Sequence, residues 1–478
     1  MFQRLLPTAI RRPQGRPSPG PTVVFFPAMR YNIPNIRGGR RPREDVPMNM
    51  DLSTIYGSGA WDERFRQTVA LVPGETENRV INLYPEIEYQ RFEGFGGAIT
   101  EAAGHVYARM DAAQRAALMR AYFAPEGMNY RFVRIPIDSC DFSLGQYEGF
   151  ERVDATILPM LRDARAAAGR DLKLMLSPWS PPARFKTNGS RAGGGRLMPE
   201  RYGDWAEYLC RYVEGWRERG FEVSMLSLQN EAHAVQTWDS CVFTAEEEKR
   251  FLRDFMRPAL ERHGLSGIEI YLWDHNKERG YEWLRDILDE TTDPMVAGLA
   301  VHWYSGDHFE ALELCRRRWP EKKLIVSESC IEFCKFAEDD ASGAALAMAH
   351  EIIGDLNHGI SAFIDWNLLL DERGGPNYVD NFCLAPYLYD TRAGKLRRQL
   401  LADYVGALAA AVAPGSVRVA CTRFTQAVET TAWRRPDGAL SLVMLNAGGA
   451  PQPVCVRLDG REAGAVLLPR SITTATIE

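Results

Sequence analysis

Ser224-Met-Leu-Ser-Leu-Gln-Asn-Glu231 and Leu324-Ile-Val-Ser-Glu-Ser329 decide how this chain is read. Each is a short apolar run that closes on a carboxylate, Glu231 in the first and Glu328 in the second. A strand buried on both faces shows a continuous apolar run in place of polar–apolar alternation. Six further runs of the same kind occupy residues 92–100, 131–138, 171–179, 269–276, 299–304 and 360–367. Amphipathic stretches lie between them, among them 111–122, 153–168, 202–219 and 246–262. Eight such alternations predict a (β/α)8 TIM barrel, a fold of about 250 residues whose loops converge over the C-terminal ends of the strands. A doubly wound sheet is disfavoured, because no glycine-rich phosphate turn opens a helix after the first strand. Phe95-Gly96-Gly97 alone is weak grounds for one.

Beyond residue 396 the pattern changes. Residues 416–424, 427–434, 439–446, 453–458 and 465–468 are short, rich in β-branched residues, and separated by turns such as Pro436-Asp437-Gly438. They predict an all-β sandwich. Residues 65–89 also read as strands, and the expectation is one sandwich stitched from both ends of the chain. The predicted organisation is therefore a tail at 1–47, N-terminal strands at 48–91, the barrel at 92–395 and the C-terminal sandwich at 396–478. The tail carries nine arginines, nine prolines and no lysine. It resembles an organelle transit peptide in composition, but a disordered segment is the favoured reading.

The 478 residues are 45% hydrophobic and 25% charged, with a formal net charge of −6. That balance gives no electrostatic footprint for nucleic acid or an anionic membrane. No apolar stretch reaches the length of about 18 residues that a transmembrane segment needs. The nine cysteines lack a repeated spacing and read as reduced thiols, so a cytoplasmic location is expected. Cys330 and Cys334 lie close behind Glu328, but no zinc-type partner pair accompanies them.

The predicted strand ends carry an unusual set of groups. Arg134 and Asp138 belong to the second, with Asp141 just beyond. Ser177-Pro178-Trp179 closes the third, Asn230-Glu231 the fourth and Trp273-Asp274 the fifth. His302-Trp303-Tyr304 follows on the sixth, Glu328 on the seventh and Asp365-Trp366-Asn367 on the eighth. Carboxylates and amides bind hydroxyl groups, and indole faces pack on the apolar faces of sugar rings. A single strand-end tryptophan is more often packing, and Asp138 alone could cap a turn. Ordinary packing would not fill six or seven barrel ends this way. Two carboxylates in one mouth are what glycosidic bond cleavage requires.

At these residues the chain resembles glycoside hydrolase family 30, the lysosomal acid β-glucosidase (glucosylceramidase) family. The matching stretches are Phe92-Glu-Gly-Phe-Gly-Gly-Ala-Ile-Thr100, Arg134-Ile-Pro-Ile-Asp-Ser-Cys-Asp-Phe-Ser143, Ser177-Pro-Trp-Ser-Pro-Pro182 and Lys186-Thr-Asn-Gly189. Ala300-Val-His-Trp-Tyr304, Ser327-Glu-Ser-Cys330, Asp365-Trp-Asn367 and Gly374-Gly-Pro-Asn377 complete them. The resemblance implies that Glu231 is the general acid/base and Glu328 the nucleophile of a retaining reaction. It implies that Arg134 and His302 hold and tune Glu328, that Asn230 meets the sugar 2-hydroxyl, and that Tyr304 lies near the nucleophile. Asp141, Trp179, Trp366 and Asn381 match residues that line the glycone subsite. The charge on Glu328 is expected to raise the pKa of Glu231. That chemistry needs no metal or organic cofactor, and the expected partner is a carbohydrate or glycolipid substrate.

Two departures stand out. Ala232 follows the acid/base where the family has proline, and the loop 233–241, read as shaping the aglycone side, differs from that of the lysosomal enzymes. The same fold and pair could act on β-1,6-glucan, a β-xyloside or a β-fucoside, because loops set the specificity. A non-catalytic carbohydrate-binding protein is the reading from another class.

Overall fold

The computed structural model describes residues 48–56, 65–333, 335–336 and 340–478; the 1–47 tail and Cys334 lie outside the described residues. Its centre is a closed ring of eight parallel strands. These are β1 (Gly94–Ala98), β2 (Phe132–Ile137), β3 (Lys173–Pro178), β4 (Val223–Ser227), β5 (Glu269–Asn276), β6 (Gly298–His302), β7 (Lys323–Glu328) and β8 (Ile360–Asn367). Each pairs with its sequence neighbours, and β8 closes onto β1 through Phe363 opposite Phe95. The TIM barrel predicted from sequence is therefore the observed architecture.

The lower barrel is a packed apolar core. Phe132, Met175, Met225, Tyr271, Ala300, Ile325, Ala362 and Ile364, drawn from seven strands, form one cluster. The first strand contributes glycine for lack of space: a Cβ on Gly96 would sit 2.5 Å from the Phe132 carbonyl oxygen. Above this layer the interior turns polar, with Arg134, Ser177, Asp274, His302 and Ser327 all fully buried. Outer helices pack by their apolar stripes. In Tyr202–Glu218 the buried residues Trp205, Leu209, Val213 and Trp216 recur at helical spacing and face the barrel.

The second module is all β and joins both ends of the chain. Met48–Tyr56, Phe65–Pro73 and Val80–Arg91 hydrogen-bond into a closed order with six strands from Val417 onward. Met48–Tyr56 lies antiparallel to the last strand, Ser471–Ile477, with Met50 opposite Ile477. Val80–Arg91 is inserted between Gln452–Leu458 and Val417–Arg423. Met50, Leu52, Ile81, Leu83, Leu442, Val456 and Ala475 form its separate core.

The junction differs from expectation. Residues after 396 do not enter the β-module at once: Lys395–Arg398 pairs with Tyr387–Asp390, and Leu400–Ala411 is a helix. That helix buries Leu400, Leu401, Ala402, Tyr404, Val405, Ala407 and Leu408, hence almost its whole circumference. A segment apolar on all sides carries no periodic signal. No helix among the described residues is long and apolar enough to cross a membrane.

Candidate active site

The strand ends gather the expected groups around one cavity of about 250 Å³. Asp141, Trp179, Asn230, Glu231, Tyr304, Glu328, Trp366 and Asn381 all line it. Arg134 and His302 lie just beneath and are fully buried. Gln236, Trp238, His275, Asn276, Cys330, Glu332 and Cys383 complete the wall.

Glu328 ends β7 and is held from two sides. Arg134 Nη1 donates to its Oε2 at 2.5 Å, and the Tyr304 hydroxyl donates to its Oε1 at 2.9 Å. The same guanidinium donates to Asn230 Oδ1 at 2.6 Å, to Asp274 Oδ2 at 3.0 Å and to Ser177 Oγ at 3.1 Å. The indoles of Trp179 and Trp366 stack with centroids 5.3 Å apart and cover the guanidinium at 4.8 and 5.3 Å. A charge buried this deeply persists only because every direction offers it a carboxylate, a hydrogen bond or a π face. Although burial opposes it, the Asp274 and Glu328 charges raise the pKa of Arg134 above its usual value.

Glu231 leaves β4 in a tight turn. Its φ is +48°, its N–H donates to the Asp274 carbonyl at 2.8 Å, and its carbonyl accepts from Ala234 N–H at 2.8 Å. This lies outside the extended region that a following proline favours, and Ala232 imposes no such bias. The loop beyond is pinned at its far end: Arg191 Nε donates to Asp239 at 2.8 Å, and the buried Lys186 ammonium donates to the Ser240 carbonyl at 2.5 Å. Gln236 and Trp238 are thereby presented to the cavity. Asp138 serves the scaffold, accepting from Gly149 N–H at 2.8 Å and from the Tyr208 hydroxyl at 2.9 Å.

His302, which the resemblance has tuning Glu328, is coupled to that carboxylate through charge and not by a direct hydrogen bond. Its nitrogens face Glu231 Oε1 at 3.3 Å and Asp274 Oδ1 at 3.2 Å, so its direct partner is the carboxylate of β4 and not Glu328. Burial disfavours the imidazolium, but the Glu328 charge, with Asp274 and Glu231 on the two nitrogens, lifts His302 to about 9. In turn, although burial opposes its ionisation, the hydrogen bond from His302 and the positive charges of His275, His302 and Arg134 hold Glu231 below the ordinary carboxylate range. The shift is thus downward, opposite to the rise expected from the neighbouring Glu328.

Asp274 is the functional group that strand counting underestimated. It is fully buried, accepts from Arg134, His302 and Ser327 Oγ (2.6 Å), and is held well below the usual carboxylate pKa; burial resists this, and Arg134 overcomes it. Strict alternation would put it opposite in facing to Trp273 and out of step with Tyr271. A bulge between Trp273 and His275, with positive φ at Trp273 and Asp274, resets the phase. Trp273 correspondingly leaves the mouth and packs outside against Trp283, with centroids 4.7 Å apart.

Across the cavity Asn381 Nδ2 donates to Asp141 Oδ2 at 2.9 Å, while Asp141 Oδ1 has no hydrogen-bond partner among the described residues. Burial, then the charges of Glu328 and Glu231, push Asp141 up to about 8. A buried, unsatisfied acceptor at a pocket wall is suited to a ligand hydroxyl. Chemically, the site offers two carboxylates on strands 4 and 7, hydrogen-bonding groups for hydroxyls, and paired indoles.

The comparisons with known proteins agree with this geometry. Residues 92–408 match the glycosyl hydrolase family 30 TIM-barrel domain, and residues 415–475 match the glycosyl hydrolase family 30 beta sandwich domain. The chain is 28% identical to the lysosomal acid glucosylceramidase of Mus musculus over 409 residues, 79% of each chain. It is 24% identical to an endo-1,6-beta-D-glucanase of Neurospora crassa over 214 residues, 41% of this chain and 44% of that one. Among solved structures, SrfJ from Salmonella typhimurium superposes with a TM-score of 0.85 at 34% identity, covering 90% of this chain and 99% of that one. The endo-beta1,6-glucanase BT3312 superposes with a TM-score of 0.79 at 25% identity, covering 90% and 98%. With both of its domains matched and its paired strand-end carboxylates in place, this chain is a member of glycosyl hydrolase family 30, enzymes that act on glycosidic bonds.

Proposed function

We propose that the protein is a retaining β-glycosidase that works by double displacement, with Glu328 as nucleophile and Glu231 as acid/base. The observation that carries this reading is that both carboxylates open into the same cavity from strands 4 and 7. Arg134 and Tyr304 support the anionic form of Glu328 that attack on the anomeric carbon requires. The proton for the departing oxygen is held in the Glu231–His302 contact. Once the glycosyl-enzyme forms, the charge on Glu328 is gone and Glu231 serves as base toward water.

The substrate is a β-glucoside. The relationship to glucosylceramidases supports this, with Asp141, Asn381, Asn230 and the Trp179–Trp366 pair receiving the sugar. The 0.79 TM-score to an endo-beta1,6-glucanase favours β-1,6-glucan as the second reading. Both are tested together by following a panel of β-glycosides with proton NMR. Release of glucose as the β-anomer first supports the proposal; an α-anomer appearing first excludes retention, and cleavage confined to xylosides or fucosides excludes the glucoside reading.

A further inference from the structure

Three side chains converge beside the cavity from the ends of β4, β5 and β6, and Glu231, His275 and His302 each offer one ligand atom within 4.8 Å of the others. Glu231 Oε1 is 3.3 Å from the His302 nitrogen and 3.7 Å from the His275 nitrogen. A tetrahedral Zn2+ with bonds of about 2.0–2.1 Å holds its ligand atoms roughly 3.4 Å apart, which both separations from Glu231 already match. His275 Nδ1 is buried and has no hydrogen-bond partner among the described residues. His302 is braced from behind, its Nε2 lying 3.2 Å from Asp274 Oδ1, the carboxylate–histidine arrangement that orients metal-binding imidazoles.

The charge balance points the same way. Three carboxylates, Glu231, Glu328 and Asp274, face two buried basic groups: Arg134 pairs with Glu328 and Asp274, and His302 with Glu231 and Asp274. A divalent cation would offset the remaining excess of carboxylate charge. Two imidazoles and one carboxylate suit a borderline ion such as Zn2+ or Co2+, whereas Mg2+ and Ca2+ prefer all-oxygen shells. The cavity supplies room for a water as fourth ligand.

We infer that Glu231, His275 and His302 form an inhibitory site for a borderline divalent cation, in which the ion takes the acid/base carboxylate out of service. Metal binding stands on the geometry alone; inhibition rests on the proposed role of Glu231. The ion replaces the proton between His302 and Glu231, so the leaving oxygen has no donor.

The test uses chelator-stripped full-length protein titrated with Co2+ and with Zn2+, read by visible absorption and by calorimetry, beside hydrolysis of an aryl β-glucoside. The expected result is one Co2+ per chain with the intense visible bands of a four-coordinate ion, displaced by Zn2+, and inhibition that tracks occupancy. His275→Ala and Glu231→Gln should each weaken binding by roughly tenfold or more. Unchanged Co2+ bands and Zn2+ affinity in both variants would overturn the site, as would an octahedral Co2+ spectrum. A chain that cleaves no glycoside when metal-free would refute the catalytic reading, while the spectra and calorimetry still judge the metal site.

Discussion

Arg134 and Glu328 form a buried ion pair, Nη1 to Oε2 at 2.5 Å, inside a barrel layer whose other buried basic group, His302, faces Glu231 and Asp274 instead. The arginine also carries Asp274 and Asn230, so one side chain fixes groups from β4, β5 and β7. Arg134→Met strands two buried carboxylates and is expected to lower folding stability by about 3–5 kcal/mol, measured from urea unfolding. Arg134→Lys should rescue only part of this, because a point charge cannot replace a planar fork that donates in three directions. An unfolding midpoint equal to the parent in both variants would contradict the role assigned here.

Substitution of the two carboxylates should give unlike defects. Glu328→Gln is expected to reduce turnover on every β-glycoside by at least about a thousandfold. Glu231→Gln should spare the first step for an aryl glycoside whose leaving group needs little protonation, and slow hydrolysis of the intermediate. The signature is a pre-steady-state burst of phenol, with azide restoring turnover because it needs no base. Near-parental rates in Glu328→Gln would remove the nucleophile assignment.

Asp141 gives a pH-dependent stability. Its folded pKa, about 8, lies above the ordinary aspartate value, so the folded state holds a proton that the unfolded chain has released between roughly pH 4 and 8. Stability therefore falls as pH rises through that window. Asp141→Asn removes the buried charge and should melt higher than the parent at pH 8.5, with the advantage vanishing near pH 3.5. The same variant should bind a β-glycoside inhibitor more weakly. Differential scanning calorimetry at the two pH values decides it, and a pH-independent difference would count against it.

His350 links the helix Ala341–Asn357 to the β-module through Glu429 Oε2 at 2.8 Å, and meets Asp307 Oδ2 at 3.2 Å. The hydrogen bond to Glu429 leads in raising it to about 9. For a group raised in the folded state, the stabilisation is complete below the unfolded value of about 6.5 and is lost as pH rises through 9. His350→Gln should thus lower Tm at pH 6 and leave it nearly unchanged at pH 10. Equal losses at both would show that the contact acts by packing alone.

Much of this molecule was legible in the order of its residues. Eight apolar runs separated by amphipathic stretches specified the barrel, because burial on both faces leaves no other pattern for a parallel strand. Glu231, Glu328, Asp141, Trp179, Asn230, Tyr304 and Trp366 line one cavity because each ends or closely follows such a run, where loops must converge, whereas Asn381, far beyond the eighth run, was reached only through the family resemblance. The helix Leu400–Ala411 was not legible, since its apolar surface has no periodicity.

What tertiary structure alone decided is facing and partnership. The bulge at Trp273–His275 turned Asp274 inward and sent Trp273 to the outer shell. It also brought His302 against Glu231, although 71 residues separate them. Sequence records which groups stand at the rim of the barrel, because that is set by local burial and chain order. Which of them share a proton or a charge is set by strand phase and by distances across the ring, and these exist only once the ring has closed.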